Sequence, residues 1–203
     1  MVAVVDYGVG NLFSLCSSLA AIGAEAVVTD DPAVLAAADR IILPGVGAFG
    51  DAADKLRERG LFGVLRDLAA LGKPLMGICL GMQLLFEKGY EYGEHEGLGL
   101  IKGEVRPISE VIPEGLKIPH IGWNALHFEG EKSPIFRYLN EGDFVYFVHS
   151  FYGKNEDGSV IATADYGAPL TAAVGRGNVF GCQFHPEKSG NVGLKILKAF
   201  CEV

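Results

Sequence analysis

A cysteine with glycines two places before and two places after it marks where this chain is built for covalent chemistry. Cys79 stands in Leu75-Met76-Gly77-Ile78-Cys79-Leu80-Gly81-Met82-Gln83, where an apolar run ends and a helix-forming run, Met82 to Lys88, begins. This is the spacing of a nucleophile elbow with sulfur in place of the serine oxygen. The sharp strand-to-helix turn needs small neighbours, because a side chain at either flank would clash with the turn or cover the sulfur. A sulfur at a helix N-terminus meets unpaired N–H groups that favour the thiolate. Burial as a structural residue is the commoner fate of cysteine. Paired glycines in a strand-turn-helix context argue for a nucleophile instead.

A nucleophilic cysteine needs a base, and the base needs an orienting group. Of the five histidines, His95, His120, His127, His149 and His185, only His185 has a carboxylate locked beside it, in Gln183-Phe184-His185-Pro186-Glu187. In an extended segment, residues two apart point to the same side, so His185 and Glu187 are expected to project together. Pro186 pushes His185 toward the extended region. Glu187 then holds the imidazole tautomer while His185 exchanges a proton with Cys79. The alternative is a surface turn with an incidental His and Glu, which the elbow disfavours. His149 is the competing base; it lacks a local carboxylate and reads as a satisfied strand-end histidine, as does His120 next to Pro119. His95 and His127 lie in charged, polar stretches and are expected to be solvated.

The third requirement is a pair of donors for the oxyanion. The Leu80 N–H, one residue past the nucleophile, is the usual first donor of an elbow. The second is expected from Pro44-Gly45-Val46-Gly47, where the short apolar strand Ile41–Leu43 runs into a glycine-rich turn; Val46 and Gly47 are the candidate residues. A phosphate-binding loop is the weaker reading, since neither G-x-x-x-x-G-K-[ST] nor G-x-G-x-x-G occurs here. A plain structural turn is the other alternative. Glycine on both sides of Val46 also fits a peptide that must rotate, because rotation drives neighbouring torsions through regions only glycine visits cheaply.

The elements that must position these groups follow from composition and pattern. The chain has 203 residues, 49% hydrophobic and 21% charged, enough for one domain, 1–203, with a sizeable core. A net charge of −8 argues against a generally basic nucleic-acid-binding surface. Cys16, Cys79, Cys182 and Cys201 show no C-x-x-C and no zinc spacing, which fits a reducing, cytoplasmic setting. Cys16 and Cys201 are expected in the core and Cys182 in a strand. No signal peptide is read at the start. Tyr7 to Ala24 carries no charge, but its glycines, serines and asparagine argue for a turn plus amphipathic helix rather than a membrane span.

Strand and helix alternate through the first half. Strands are expected at Val2–Val5, Ala26–Thr29, Ile41–Leu43 and Pro74–Ile78. Helices are expected from Asn11 to Gly23, over Pro32–Ala38 and over Asp51–Leu71, the last broken at Gly60 or Gly63. This order predicts an open, mostly parallel sheet with helices on both faces, whose sites lie at the C-terminal strand ends. The second half predicts an antiparallel extension: Leu98–Arg106, Ile121–Phe128, Phe144–Val148, Ser159–Ala164, Leu170–Val174 and Val179–Phe184. A closing amphipathic helix is expected near Val192–Phe200.

Read together, Gly77-Ile78-Cys79-Leu80-Gly81-Met82-Gln83 and His185-Pro186-Glu187 resemble the two signatures of the class I (triad) glutamine amidotransferases, a flavodoxin-like fold family. The blocks Asp6–Leu12, Leu43–Phe49, Pro119–Asn124, Tyr146–Ser150 and His185–Ser189 span the chain in the family's order and are most similar to the glutaminase subunits of imidazole glycerol phosphate synthases. The resemblance implies hydrolysis of L-glutamine to glutamate and ammonia by Cys79, His185 and Glu187, without metal or organic cofactor. It implies that Gln83 contacts the glutamine, that Glu91 reads its α-amino group, and that main chain at Ser150 and Phe151 holds its carboxylate. It places Asn11, Trp123, Tyr146 and Lys188 against a TIM-barrel cyclase subunit. That partner forms a heterodimer with the glutaminase, takes the ammonia through a tunnel and switches the glutaminase on. Two rival readings are a glutaminase of the same class serving another acceptor, and a non-amidotransferase with an elbow cysteine.

Overall fold

Val2–Val5 (β1) is apolar on both sides of its pleat, which suits a strand buried on both faces. In the structure, a computed structural model describing residues 1–155 and 157–203, β1 lies inside an eight-stranded sheet. β1 pairs in parallel with Ala26–Thr29 (β2) and Arg40–Leu43 (β3). Leu75–Ile78 (β4) follows β3, and Val179–Cys182 (β14) follows β4, again in parallel. Alternate residues feed two cores. Ala3, Val5, Ile41 and Leu43 pack under Pro32–Ala37 (α2), Phe49–Glu58 (α3) and Leu61–Ala70 (α4). Val2, Val4, Ile42, Met76 and Ile78 pack under Leu12–Ala21 (α1) and Gly190–Cys201 (α6). The expected parallel sheet with helices on both faces is therefore present. The expected helix break falls at Gly60, whose φ of +70° caps α4, while Gly63 sits inside that helix.

The second half departs from a simple extension. Pro169–Arg176 (β13), Val160–Asp165 (β12) and His127–Phe128 (β9) continue the main sheet antiparallel from β14. His120–Ala125 (β8) and Phe144–His149 (β10) instead form their own antiparallel pair. The expected strand Ile121–Phe128 thus divides at Leu126, which is fully buried. A four-stranded sheet holds Phe86–Gly89 (β5), His95–Glu96 (β6), Ile101–Pro107 (β7) and Phe151–Lys154 (β11). The expected helical run Met82–Lys88 is overturned. Helix α5 spans only Leu80–Gln83. Beyond it the carbonyls of Leu84, Leu85 and Phe86 accept from Leu98, Leu100, Ile101 and Gly99, so tertiary partners take the acceptors a helix would use. The same contacts explain why the strand expected from Leu98 begins only at Ile101. His95 is half-buried, its ring lying where a Cβ on Gly50 would go, whereas His127 is exposed as expected and meets Glu141. Cys16 and Cys201 are half-buried against the second core rather than inside it. No helix among the described residues is long and apolar enough to cross a membrane.

Candidate active site

Cys79 leaves β4 with φ 55° and ψ −114°, a backbone conformation L-residues rarely adopt. Such strain persists only where the surroundings over-determine it. Here they do. The Cys79 N–H donates to the Cys182 carbonyl at 2.7 Å. A Cβ on Gly77 would lie 2.4 Å from the Gly81 oxygen, and one on Gly81 would lie 1.9 Å from the Leu43 oxygen. The flanking glycines are thus demanded by the turn itself and by the neighbouring strand β3. Helix α5 is one turn long and the Cys79 side chain makes no capping hydrogen bond to it, so the support expected for the sulfur from a longer helix N-terminus is not present.

His185 comes from the segment just beyond β14. It is extended, with φ −99° and ψ 100°, as Pro186 requires. The expected extended run through Glu187 is not present: Pro186–Lys188 forms a 3₁₀ turn closed by the Lys188 N–H on the His185 carbonyl. The turn still brings the two side chains together. His185 Nδ1–H donates to Glu187 Oε1 at 2.8 Å, with side chains only 3% and 4% exposed. Burial lowers the imidazole pKa, but hydrogen bonds to Cys79 and Glu187 outweigh it and lift the pKa to about 9. At neutral pH this ring therefore carries a proton it can give away. The other carboxylate oxygen, Glu187 Oε2, is buried without a hydrogen-bond partner among the described residues. Glu187 lines a small cavity shared with Asn11 and Val46.

Cys79 and His185 open on a cavity of about 340 Å³ that is also lined by Val46, Gly47, Leu80, Gln83, Glu91, Ser150, Phe151 and Lys188. Ten of the fourteen residues singled out from sequence thus share one space, within the size range of small-ligand pockets. The Leu80 N–H has no acceptor among the described residues and is free for an oxyanion. Gln83 spends both amide hydrogens, on the Phe151 carbonyl at 3.2 Å and Gln183 Oε1 at 3.0 Å, so its oxygen is the atom left for a ligand. Glu91 Oε2 accepts the Phe49 N–H at the start of α3, at 2.9 Å, leaving the second oxygen open. Lys188 is exposed at the cavity mouth.

The other four predicted residues lie outside this cavity. Glu187 stands behind His185, and Asn11 caps α1 beside it. Trp123 and Tyr146 face each other across the β8–β10 ladder, ring centroids 6.1 Å apart. Trp123 is 54% exposed and Ile121, next but one along β8, is 58% exposed, so this ladder presents apolar side chains to solvent beside the cavity.

Further residues at the site were not singled out from sequence. Gln183 is fully buried, with Nε2 donating to the Cys79 sulfur at 3.9 Å, and it follows directly on the end of β14. Tyr7 donates from its buried hydroxyl to the Pro44 carbonyl at 2.8 Å, pinning the start of the Pro44–Gly47 turn. Pro119 lines the cavity. His149 is not the base. Its Nδ1 meets the Phe151 carbonyl at 2.8 Å, and burial, the leading cause, drops its pKa to about 4.

Comparison with known proteins converges on the same chemistry. The family model described as glutamine amidotransferase class-I matches residues 3–202. The chain is 50% identical over 206 residues to the imidazole glycerol phosphate synthase subunit HisH of Wolinella succinogenes, covering 100% of both chains. It is 54% identical over 199 residues to the HisH subunit of Aquifex aeolicus, covering 97% of this chain and 94% of that one. Among solved structures, a PurLQS structure from Thermotoga maritima superposes with a TM-score of 0.75 at 26% identity, covering 99% of this chain and 97% of that one. A glutamine amidotransferase crystal structure superposes with a TM-score of 0.77 at 22% identity, covering 100% and 98%, which shows the shared fold.

Proposed function

The chain belongs to the class-I glutamine amidotransferase family and is a glutamine-hydrolysing enzyme, and from that premise we propose the roles of its residues and its partner. Its function is that of the glutaminase subunit of imidazole glycerol phosphate synthase, in histidine biosynthesis. Cys79 Sγ attacks the side-chain amide carbon of glutamine. The oxyanion is held by the Leu80 N–H and by an N–H of the Val46–Gly47 segment. His185 gives its proton to the nitrogen as the C–N bond breaks and ammonia leaves. It then takes a proton from water, which attacks the thioester carbon; the C–S bond breaks with its electron pair on sulfur, glutamate leaves, and Cys79 again faces a protonated His185. Glu187 orients and charges His185. The Gln83 oxygen and the free Glu91 oxygen receive the substrate's α-ammonium, and main chain at Ser150 and Phe151 receives its carboxylate. The observation that carries this reading is the buried 2.8 Å His185–Glu187 bond beside the strained Cys79.

Ammonia released in water is mostly protonated, so a docked acceptor is expected. We place the cyclase subunit over the cavity mouth, on Asn11, Trp123, Tyr146 and Lys188, in a cytoplasmic heterodimer. Trp123 and Ile121 supply exposed apolar surface, and Lys188 a charge, next to the site. The test is glutamate release from glutamine by the purified chain, with and without the liganded cyclase. Cys79→Ala should abolish it while retaining complex formation, and a glutamine-like electrophile should label Cys79 ahead of Cys16, Cys182 and Cys201. Labelling elsewhere, or no glutamate release with the cyclase present, overturns the reading.

A further inference from the structure

The β8–β10 pair carries the aromatic side chains of Trp123, Phe144 and Tyr146 on its outer face and two imidazoles on its inner one. His120 and His149 are opposite each other in the register, 3% and 6% exposed, with His120 Nδ1 2.9 Å from His149 Nε2. His120 is stacked on Phe147 and Tyr166, at centroid separations of 4.9 and 4.1 Å. Two polar rings in such surroundings are costly unless every nitrogen is matched. An apolar pair would fill the space without that cost.

The hydrogen bonds allow one arrangement of protons. The Phe151 carbonyl can only accept, so His149 Nδ1, 2.8 Å away, must donate. In a neutral ring that leaves Nε2 bare, and His120 Nδ1 must then be the donor between the rings. His120 Nε2 is bare in turn and faces the Asn124 amide nitrogen at 3.5 Å. That amide cannot turn round freely: its oxygen accepts the Ala125 N–H at 2.8 Å and its nitrogen donates to the Asp165 carbonyl at 2.7 Å. The tautomers are thus specified from both ends, and burial, which lowers the pKa of both rings, keeps them neutral.

We propose that His120 and His149 are a positioning pair for the reaction, in which His120 holds His149 in the tautomer whose Nδ1–H fixes the Phe151 carbonyl. This sets the Ser150–Phe151 segment in the geometry that receives the substrate carboxylate. The proposal rests on the assignment of that segment to glutamine binding. Neither imidazole takes part in bond making. The Phe151 carbonyl also accepts from Gln83, so one clamp holds two walls of the cavity together. Because β8 bears Ile121 and Trp123 on its exposed side, the clamp also lies directly behind the surface on which we place the cyclase.

The test is glutamine kinetics of the subunit with its liganded cyclase, for wild type, His120→Leu and His120→Asn. Leucine removes the donor. Asparagine returns an amide N–H near the place of Nδ1. Loss of one clamping bond should raise the glutamine KM about tenfold in His120→Leu with kcat within about threefold, while His120→Asn recovers most of the wild-type KM. An unchanged KM in His120→Leu, or a His120→Asn no better than His120→Leu, overturns the proposal. Imidazole ¹⁵N correlation spectra of the wild-type chain at neutral pH provide a reading that needs no variant to fold. Both rings should be protonated at Nδ1 alone, and a proton on His149 Nε2 overturns the clamp. A wild type that hydrolyses no glutamine would sink the functional assignment instead, and the spectra would still report the tautomers.

Discussion

Glu187→Gln separates the charge of the buried pair from its shape. In the wild type, His185 Nδ1–H donates to Glu187 Oε1 at 2.8 Å. Glutamine keeps an acceptor oxygen there, so the tautomer that turns Nε2 toward Cys79 is retained. Its amide nitrogen replaces an oxygen that makes no hydrogen bond among the described residues, so no second bond is broken. The charge is lost, and the unpartnered amide nitrogen lowers stability without touching the bond to His185. A net hydrogen bond involving an ionised group is worth about 1.5–3 kcal/mol and a neutral one about 0.5–1.5 kcal/mol. The imidazolium therefore loses roughly 1–1.5 kcal/mol, or about one pKa unit. The His185 pKa stands near 9 because bonds to Cys79 and Glu187 outweigh its burial. Its proton is held until the pH passes that value, so the alkaline limb of kcat/KM should fall near pH 9 and move down by about one unit in the variant. The turnover at neutral pH should drop roughly tenfold, against a loss of about 10³-fold or more in His185→Ala, since members of a triad act as a unit. The assay is glutamate release across the pH range with the cyclase present, with Cys79→Ala as the floor. An alkaline limb that stays in place, or a Glu187→Gln enzyme as slow as His185→Ala, refutes the argument.

Gly81→Ala would put a Cβ 1.9 Å from the Leu43 oxygen, so thermal unfolding should report a loss above roughly 3 kcal/mol or no folded protein; a wild-type midpoint contradicts the packing described for the elbow. Gly47→Ala meets no atom within 4 Å but must take φ +97°, so it should cost only about 1–2 kcal/mol of stability while lowering kcat at unchanged KM in the complex. Lys188→Glu should weaken cyclase binding about tenfold to a hundredfold by titration calorimetry without unfolding the subunit; unchanged binding moves the docking face elsewhere. For His149, the folded pKa of about 4 lies below the ordinary 6.5. The unfolded chain then binds the extra proton first as pH falls, and stability present above pH 6.5 should be lost toward pH 4, by on the order of 3 kcal/mol. Denaturant midpoints across that window check it, and a His149→Gln chain should show a flatter acid limb.

The parallel half of the fold was legible because its strands are apolar on both faces and its punctuation is local: Asn11 and Asp31 cap helices, and Gly23, Gly60 and Gly72 end them with positive φ. The juxtaposition of Cys79, His185 and Glu187 was legible for the same reason, since two short segments with fixed spacing carry them. What escaped was set by distant partners. Phe86–Gly89 has helix-forming neighbours in sequence, yet the carbonyls around it are taken by the 97–101 segment. Gln183, Tyr7 and the His120–His149 pair acquire their roles only when β14, β1, β8 and β10 are brought together. No local pattern announces a tyrosine hydroxyl on a carbonyl 37 positions away.

The Pro44–Gly47 loop, proposed to supply an oxyanion donor, shows how such contacts change an inference drawn from spacing. Gly45 and Gly47 looked equivalent in sequence, two hinges about one rotating peptide. The structure separates them. Gly45 lacks positive φ and is needed because a Cβ there would lie 2.7 Å from the Gly81 nitrogen and 2.8 Å from the Tyr7 hydroxyl oxygen. Tyr7 also holds the Pro44 carbonyl, so this end of the loop is packed against the elbow and pinned. Gly47 has φ +97°, open space around it, and an exposed Val46 before it. Any rotation that switches an N–H toward the oxyanion is therefore confined to the Val46–Gly47 side, which lines the cavity and is left uncovered where the partner is expected to dock. A rearrangement that broke the Tyr7–Pro44 bond would have to displace a fully buried side chain, whereas one limited to Val46–Gly47 moves an exposed side chain and a glycine with open space around it. The activating contact of a partner should accordingly act on Val46 and leave Tyr7 in place.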